Sequence, residues 1–134
     1  MQITEVRTIK ISEMRHGEIG FLVVVGTDAG IEGLGEVAAD CHPAAVAQCI
    51  RGMDLIGSDP MRIEAFWQSH YHHQFWRGGP IWNSAVSGID HALWDIKGKV
   101  LGVPVYELVG GSLRDRIKLY THTCMGRETP EEFG

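Results

Sequence analysis

The sequence predicts an α+β domain, in which an antiparallel meander of three strands precedes a bundle of helices. Three observations predict it. Apolar and β-branched runs fill residues 2–37, the apolar spacing changes to a helical period at Pro43, and no strand-like run returns until residue 116. Strands first and helices afterwards is the segregated order of an α+β domain.

The elements follow in turn. "QITEVRTIKI" (residues 2–11) reads as a strand, because β-branched residues dominate and no breaker interrupts them. "SEMRHGEIG" (residues 12–20) is polar and bears glycine, hence a loop. Phe21 to Val25 form an unbroken apolar run, as expected of a strand central in its sheet. "TDAG" (residues 27–30) supplies turn chemistry, and Ile31 to Val37 return as the third strand. Val46, Cys49, Ile50, Met53 and Ile56 make a helical stripe closed by Gly57. Asp59-Pro60 then opens a second helix, with the stripe Ile63, Phe66, Trp67, His70, Tyr71 and Phe75, ending at "RGGP". A third helix runs from about Asn83 to Leu101, and a short fourth covers Val105 to Val109.

"RIKLYTHTC" (residues 116–124) is strand-like and leads into Thr129, a good N-cap, with Pro130 at the first helical position and Glu132 completing a capping box. This second strand-to-helix start reads as the first half of a βαβ unit, so the chain is expected to be the front of something longer.

Composition narrows the function classes. An apolar fraction of 44% and a charged fraction of 22% are those of a globular protein, and no apolar run approaches the ~18 residues of a membrane span. The net charge of −5, without a Lys/Arg cluster, argues against a nucleic-acid partner. Cys41, Cys49 and Cys124 are odd in number and lack C-x-x-C spacing, which points to reduced thiols and a cytoplasmic setting. His70 and His73 in "HYHHQF" offer too few converging ligands for zinc, and His70 falls within the apolar stripe as a satisfied core or interface histidine.

The third helix carries most of the information. Ala85, Ile89, Ala92, Leu93, Ile96 and Val100 form one apolar stripe, yet Trp94 projects almost opposite it, with Ser87 and Gly98 nearby. That arrangement predicts burial on both faces, since a glycine inside a helix costs ~1 kcal/mol unless close packing requires it. Asp95 and Lys99 are spaced to pair at i, i+4 as a modest surface contribution.

"SAVSGIDHALWDIKGKVLGVPVYELVGG", preceded by "FWRGGPI" and followed by "RDRIKLYTH", resembles the enolase superfamily, specifically its mandelate racemase/muconate lactonizing enzyme group and the acid-sugar dehydratases within it. "TDAGIEGLGEV" fits the same family. The resemblance implies an N-terminal capping domain over residues 1–112 and the first strand of a truncated (β/α) barrel over residues 113–134, the rest of the barrel lying beyond the chain. It implies Mg²⁺-assisted abstraction of the proton α to a carboxylate and loss of water to a 2-keto-3-deoxy acid, with metal ligands and acid/base residues in the missing barrel. No catalytic or metal-binding residue is then expected in this chain. A racemase, epimerase or cycloisomerase shares the first half-reaction, and a stand-alone non-catalytic module is the alternative of a different class.

What the resemblance assigns to this chain is substrate capping. Arg15 and His16 fall in the first capping loop, and Asp40 and His42 in the second. His122 stands at the end of the first barrel strand, while Trp76 and Arg77 match an aromatic-Arg-Gly motif. The implied partner is a small sugar acid, with no nucleic acid and no membrane, and homo-oligomers are common in the family. Asp40 accepts but does not donate hydrogen bonds, where D-mannonate dehydratases offer an Asn.

Overall fold

The computed structural model describes residues 1–11, 20–37 and 42–120. Strands β1 (Ile3–Ile11), β2 (Gly20–Thr27) and β3 (Glu32–Val37) form an antiparallel sheet in the order β1-β2-β3. The helical layer comprises α1 (Pro43–Arg51), α2 (Ile63–Trp67) running on into a π-helical turn (Gln68–His72), α3 (Pro80–Leu101) and α4 (Val105–Leu108). The meander followed by helices is the α+β order expected from the sequence.

The continuous apolar run of Phe21 to Val25 is explained by the central place of β2. Val23 and Val25 point to the core and are fully buried. Val24 lies on the opposite face, paired with Arg7 on one side and Leu34 on the other. It is nevertheless only 6% exposed. On the same face Arg7 reaches Glu32, Nη2 to Oε1 at 2.6 Å. That carboxylate raises the guanidinium pKa further still.

The core lies between the inner face of the sheet and α3, with α1 and α2 closing its ends. It gathers Ile3, Val23, Val25, Val37, Val46, Ile50, Ile63, Phe66, Ile89, Leu93 and Ile96. Contact between α3 and β3 is backbone to backbone. A Cβ added at Gly33 would fall on the carbonyl of Ala92, and one at Gly35 on the carbonyl of Gly88. Four small residues, two on the strand at i, i+2 and two on the helix at i, i+4, thus form a seam that admits no side chain.

Side chains finish the same joint. Asp95 Oδ2 accepts the backbone N–H of Leu34 at 2.8 Å and receives Lys99 Nζ at 2.7 Å. Lys99 Nζ also donates to the carbonyl of Glu32 at 2.7 Å. Leu34 N–H and Glu32 C=O face the outer edge of β3, where a further strand would bond. The Asp95–Lys99 pair therefore satisfies an edge that would otherwise invite strand addition. The i, i+4 pairing expected from the sequence is present, and its role is larger than a surface contribution.

Several boundaries differ from expectation. Helix α1 ends at Arg51, where the Gly52 N–H donates to the carbonyls of Gln48 and Cys49, and Ile56 is 59% exposed in the loop beyond rather than on the helix. Met53 and Leu55 are buried from that loop instead. The second helix does not start at Asp59-Pro60, where Asp59 Oδ1 accepts Met61 N–H in a turn. It does not reach Phe75, which is 86% exposed after the π-helical turn. Helix α3 begins at Pro80, three residues early, because Pro suits the first turn and Gly79 takes φ 84 before it. Val100 leaves the buried stripe at 41% exposure.

Trp94 is half-buried, with Lys97 Nζ 5.3 Å from its ring. Gly98 is required by close packing, since a Cβ there would meet the carbonyl of Val103 at 2.8 Å. Residues 116–120 form no strand, although the sequence reads as one. A strand is held by a neighbour's ladder, and no described strand lies beside this run. The remaining residues of that strand and the capping box at Thr129 lie outside the described residues.

Candidate functional site

Of the residues singled out for substrate contact, His42, Trp76 and Arg77 lie in the described structure. Arg15, His16, Asp40 and His122 lie outside the described residues.

His42 stands immediately before α1 with φ 49 and ψ 75, the left-handed region, and is the non-glycine residue with positive φ among those described. Left-handed backbone is costly for a residue with a Cβ, by roughly 1–2 kcal/mol. Two bonds hold it. Its carbonyl accepts Ala45 N–H at 2.9 Å and Val46 N–H at 3.2 Å, the first turn of α1. The imidazole itself makes no capping bond and is exposed. His42 therefore starts the helix through its backbone while its side chain stays available.

Trp76 and Arg77 occupy the connection between the π-helical turn and α3. Trp76 is 88% exposed and meets Phe75 edge-on, with ring centroids 5.0 Å apart. Two aromatic rings in solvent on one short connection are unusual enough to mark a contact surface. Arg77 folds back so that Nη1 donates to the carbonyl of His72 at 2.6 Å. Gly78 and Gly79 follow with φ 89 and 84, so the chain reverses sharply into α3. The concavity at Arg77 is lined by Tyr71, His72, Arg77 and Gly78, and includes neither His42 nor Trp76.

The π-helical turn beneath this connection is anchored by His70. Its Nδ1 lies 2.9 Å from Ser69 Oγ and 3.0 Å from the Phe66 carbonyl, and its ring stacks near Phe66 and Trp82. Trp82 Nε1 donates to the His70 carbonyl at 2.7 Å, tying the turn to α3. His70 is thus the satisfied, partly buried histidine expected of its place in the stripe. His73 turns away and meets the His72 ring at 5.4 Å. The π-helical turn was invisible to periodicity, because a single wide turn shifts the stripe without interrupting it.

A second concavity, about 720 Å³, opens between α2 and α3. It is lined by Met61, Arg62, Ile63, Glu64, Ala65, Trp67, Asp90, Trp94 and Lys97. Burial on both faces of α3 was expected, and Trp94 instead lines this open groove half-buried. Burial raises the pKa of Asp90, against the opposing pull of His91 and of a hydrogen bond from Trp94. Among the described residues no three side chains converge as metal ligands, and no helix is long and apolar enough to cross a membrane.

Comparison with known proteins identifies the surroundings of this site. Residues 3–110 match the N-terminal domain of mandelate racemase and muconate lactonizing enzyme. A D-galactonate dehydratase of Variovorax paradoxus is 46% identical over 135 residues, which cover 99% of this chain and 34% of that protein. Among solved structures, an enolase of Pantoea ananatis with D-gluconate and Mg bound superposes with a TM-score of 0.76 at 45% identity, covering 85% of this chain and 28% of that one. An enolase of Agrobacterium radiobacter with Na and L-malate bound gives 0.75 at 32% identity, over 90% of this chain and 30% of its own. The chain spans about a third of the length of the curated relatives it matches.

Proposed function

Since the chain belongs to the mandelate racemase/muconate lactonizing enzyme family, of which residues 3–110 form the N-terminal domain, we propose that it is the substrate-capping part of an acid-sugar dehydratase. The observation that carries this reading is the match to D-galactonate dehydratases at 46% identity along nearly the whole chain. Dehydration of a sugar acid removes the proton α to the carboxylate and expels the β-hydroxyl as water, leaving a 2-keto-3-deoxy acid. A proton in that position is too weakly acidic for a side-chain base without strong stabilisation of the second negative charge. The relative crystallised with D-gluconate and Mg supports Mg²⁺ as the ion that stabilises it.

The described residues do not assemble that ion's site, so no step is assigned to it here. We place the domain boundary at residue 112, with residues 113–134 opening the barrel. This chain contributes closure over the substrate: exclusion of water, and polar groups that orient hydroxyl and carboxylate oxygens. Among the described residues, His42, Trp76 and Arg77 are suited to it. Arg15, His16, Asp40 and His122 complete the proposed set. No residue of the chain is assigned a proton-transfer role. Homo-oligomeric assembly and a cytoplasmic setting belong to the same proposal.

The test is turnover of sugar acids by the full-length protein with Mg²⁺, followed as appearance of the 2-keto-3-deoxy product. Replacement of Trp76 by Ala is expected to raise KM for the accepted acid about tenfold, while thermal stability stays within ~0.5 kcal/mol because the side chain is 88% exposed. Unchanged kinetics in this variant would remove Trp76 from the capping surface.

A further inference from the structure

From residue 65 to residue 89 the chain carries no carboxylate at all, although its net charge is −5. The same run holds Arg77 and His70, His72 and His73. The one formal charge of the run is that of Arg77, with no carboxylate in the run to offset it, and an unopposed charge of that kind attracts anions. In the fold this run supplies the concavity of about 330 Å³ lined by Tyr71, His72, Arg77 and Gly78.

Arg77 is oriented there rather than merely exposed. The π-helical turn presents the carbonyl of His72, and Arg77 Nη1 is held on it at 2.6 Å. A guanidinium has five N–H donors in a plane, and this bond occupies one. Among the described residues no acid pairs with it: the ion pairs there join Arg7 to Glu5 and Glu32, and Lys99 to Asp95. Gly78 and Gly79 have nothing within 4 Å of where a Cβ would stand, so the chain beside the guanidinium leaves open space. A fixed planar cation, unpaired, in a carboxylate-free concavity is matched by the two oxygens of an oxyanion.

We propose that Arg77, with Tyr71 and His72 beside it, is an oxyanion subsite that takes a carboxylate or phosphate group of a small acid. The identity of that acid as a sugar acid rests on the function proposed above, whereas the subsite itself rests on the geometry of Arg77. Tyr71 and His72 line the same concavity, and Arg77 sets the charge.

The experiment is calorimetric titration of the full-length protein in EDTA, so that no divalent metal contributes, with D-galactonate, inorganic phosphate and neutral galactitol as probes. D-galactonate is expected to bind, more weakly as salt rises, and galactitol is expected not to. Arg77→Gln should weaken D-galactonate binding about tenfold or more, and Arg77→Lys should retain part of it because charge remains without the planar fork. Should Arg77→Gln fail to fold, the lysine variant and the salt dependence carry the same test. Binding of phosphate without D-galactonate, lost in Arg77→Gln, would keep the subsite and overturn its assignment to a sugar acid. Absence of binding by either anion, or equal affinity in the wild type and Arg77→Gln, would overturn the subsite itself. Neither result bears on whether the protein dehydrates sugar acids with Mg²⁺, which the turnover assay decides separately.

Discussion

Asp90 is half-buried at the floor of the groove between α2 and α3, where burial disfavours its charged form more than His91 and Trp94 favour it. Its folded pKa lies above the ordinary 3.8, so between the two values the folded state holds more protons than the unfolded one. Stability from this group is therefore greatest at acid pH and falls as pH rises through the folded pKa. Asp90→Asn is expected to be more stable than the wild type at pH 7, by less than ~1 kcal/mol after solvent screening, with the difference vanishing below about pH 4. Urea unfolding at the two pH values checks it, and a variant less stable at pH 7 would mean that the Trp94 bond outweighs desolvation. Asp95 matters through its bonds, since Oδ2 accepts both the Leu34 N–H and Lys99 Nζ. Asp95→Ala leaves the Leu34 N–H without its acceptor and Lys99 with the Glu32 carbonyl alone, and should cost about 1–2 kcal/mol. The same unfolding curves read that loss.

Among the elements, the seam of α3 on β3 is the least forgiving. Gly35→Ala puts a methyl onto the Gly88 carbonyl, which neither backbone can yield without moving the helix off the sheet. An expected loss of ~3 kcal/mol or more follows from such overpacking. Gly52→Ala is the control, with φ −79 and only ordinary contacts, and should lie within ~0.5 kcal/mol of the wild type. Glycine entropy favours alanine at both positions, so equal stability changes at the two would mean that the seam does not set the cost.

These elements also show what was legible in the sequence. Strand β2 was legible because a central strand is apolar on both faces, and α3 because its stripe repeats without a break from Ala85 to Ile96. The pairing of Asp95 with Lys99 could be read from spacing, but its hold on the β3 edge could not, since that depends on where the strand lies beside the helix. The glycines at 33 and 35 looked like ordinary strand residues until α3 was placed upon them. The ends of α1 and α2 were misjudged because Ile56 and Phe75 continue the apolar spacing after the backbone has left the helix. Trp76 and Arg77 entered the candidate site only through the aromatic-Arg-Gly motif that the resemblance supplies. The carbonyl of His72 that orients Arg77 was not legible, because no side-chain pattern encodes a π-helical turn.

At the scale of the whole molecule, the described residues form a sheet-and-helix core with apolar side chains exposed on part of its surface. The exposed Phe75 and Trp76, the groove beneath Trp94 and the strandless run at residues 116–120 are features that a larger protein would use. The central claim of the proposed function is that the full-length protein eliminates water from a sugar acid with the help of Mg²⁺. The most direct measurement follows D-galactonate in D₂O with the full-length protein and Mg²⁺, by NMR. The account predicts accumulation of the 2-keto-3-deoxy acid, abolished by EDTA and restored by added Mg²⁺. Exchange of the α-proton for deuterium without loss of water, or turnover indifferent to EDTA, would contradict it.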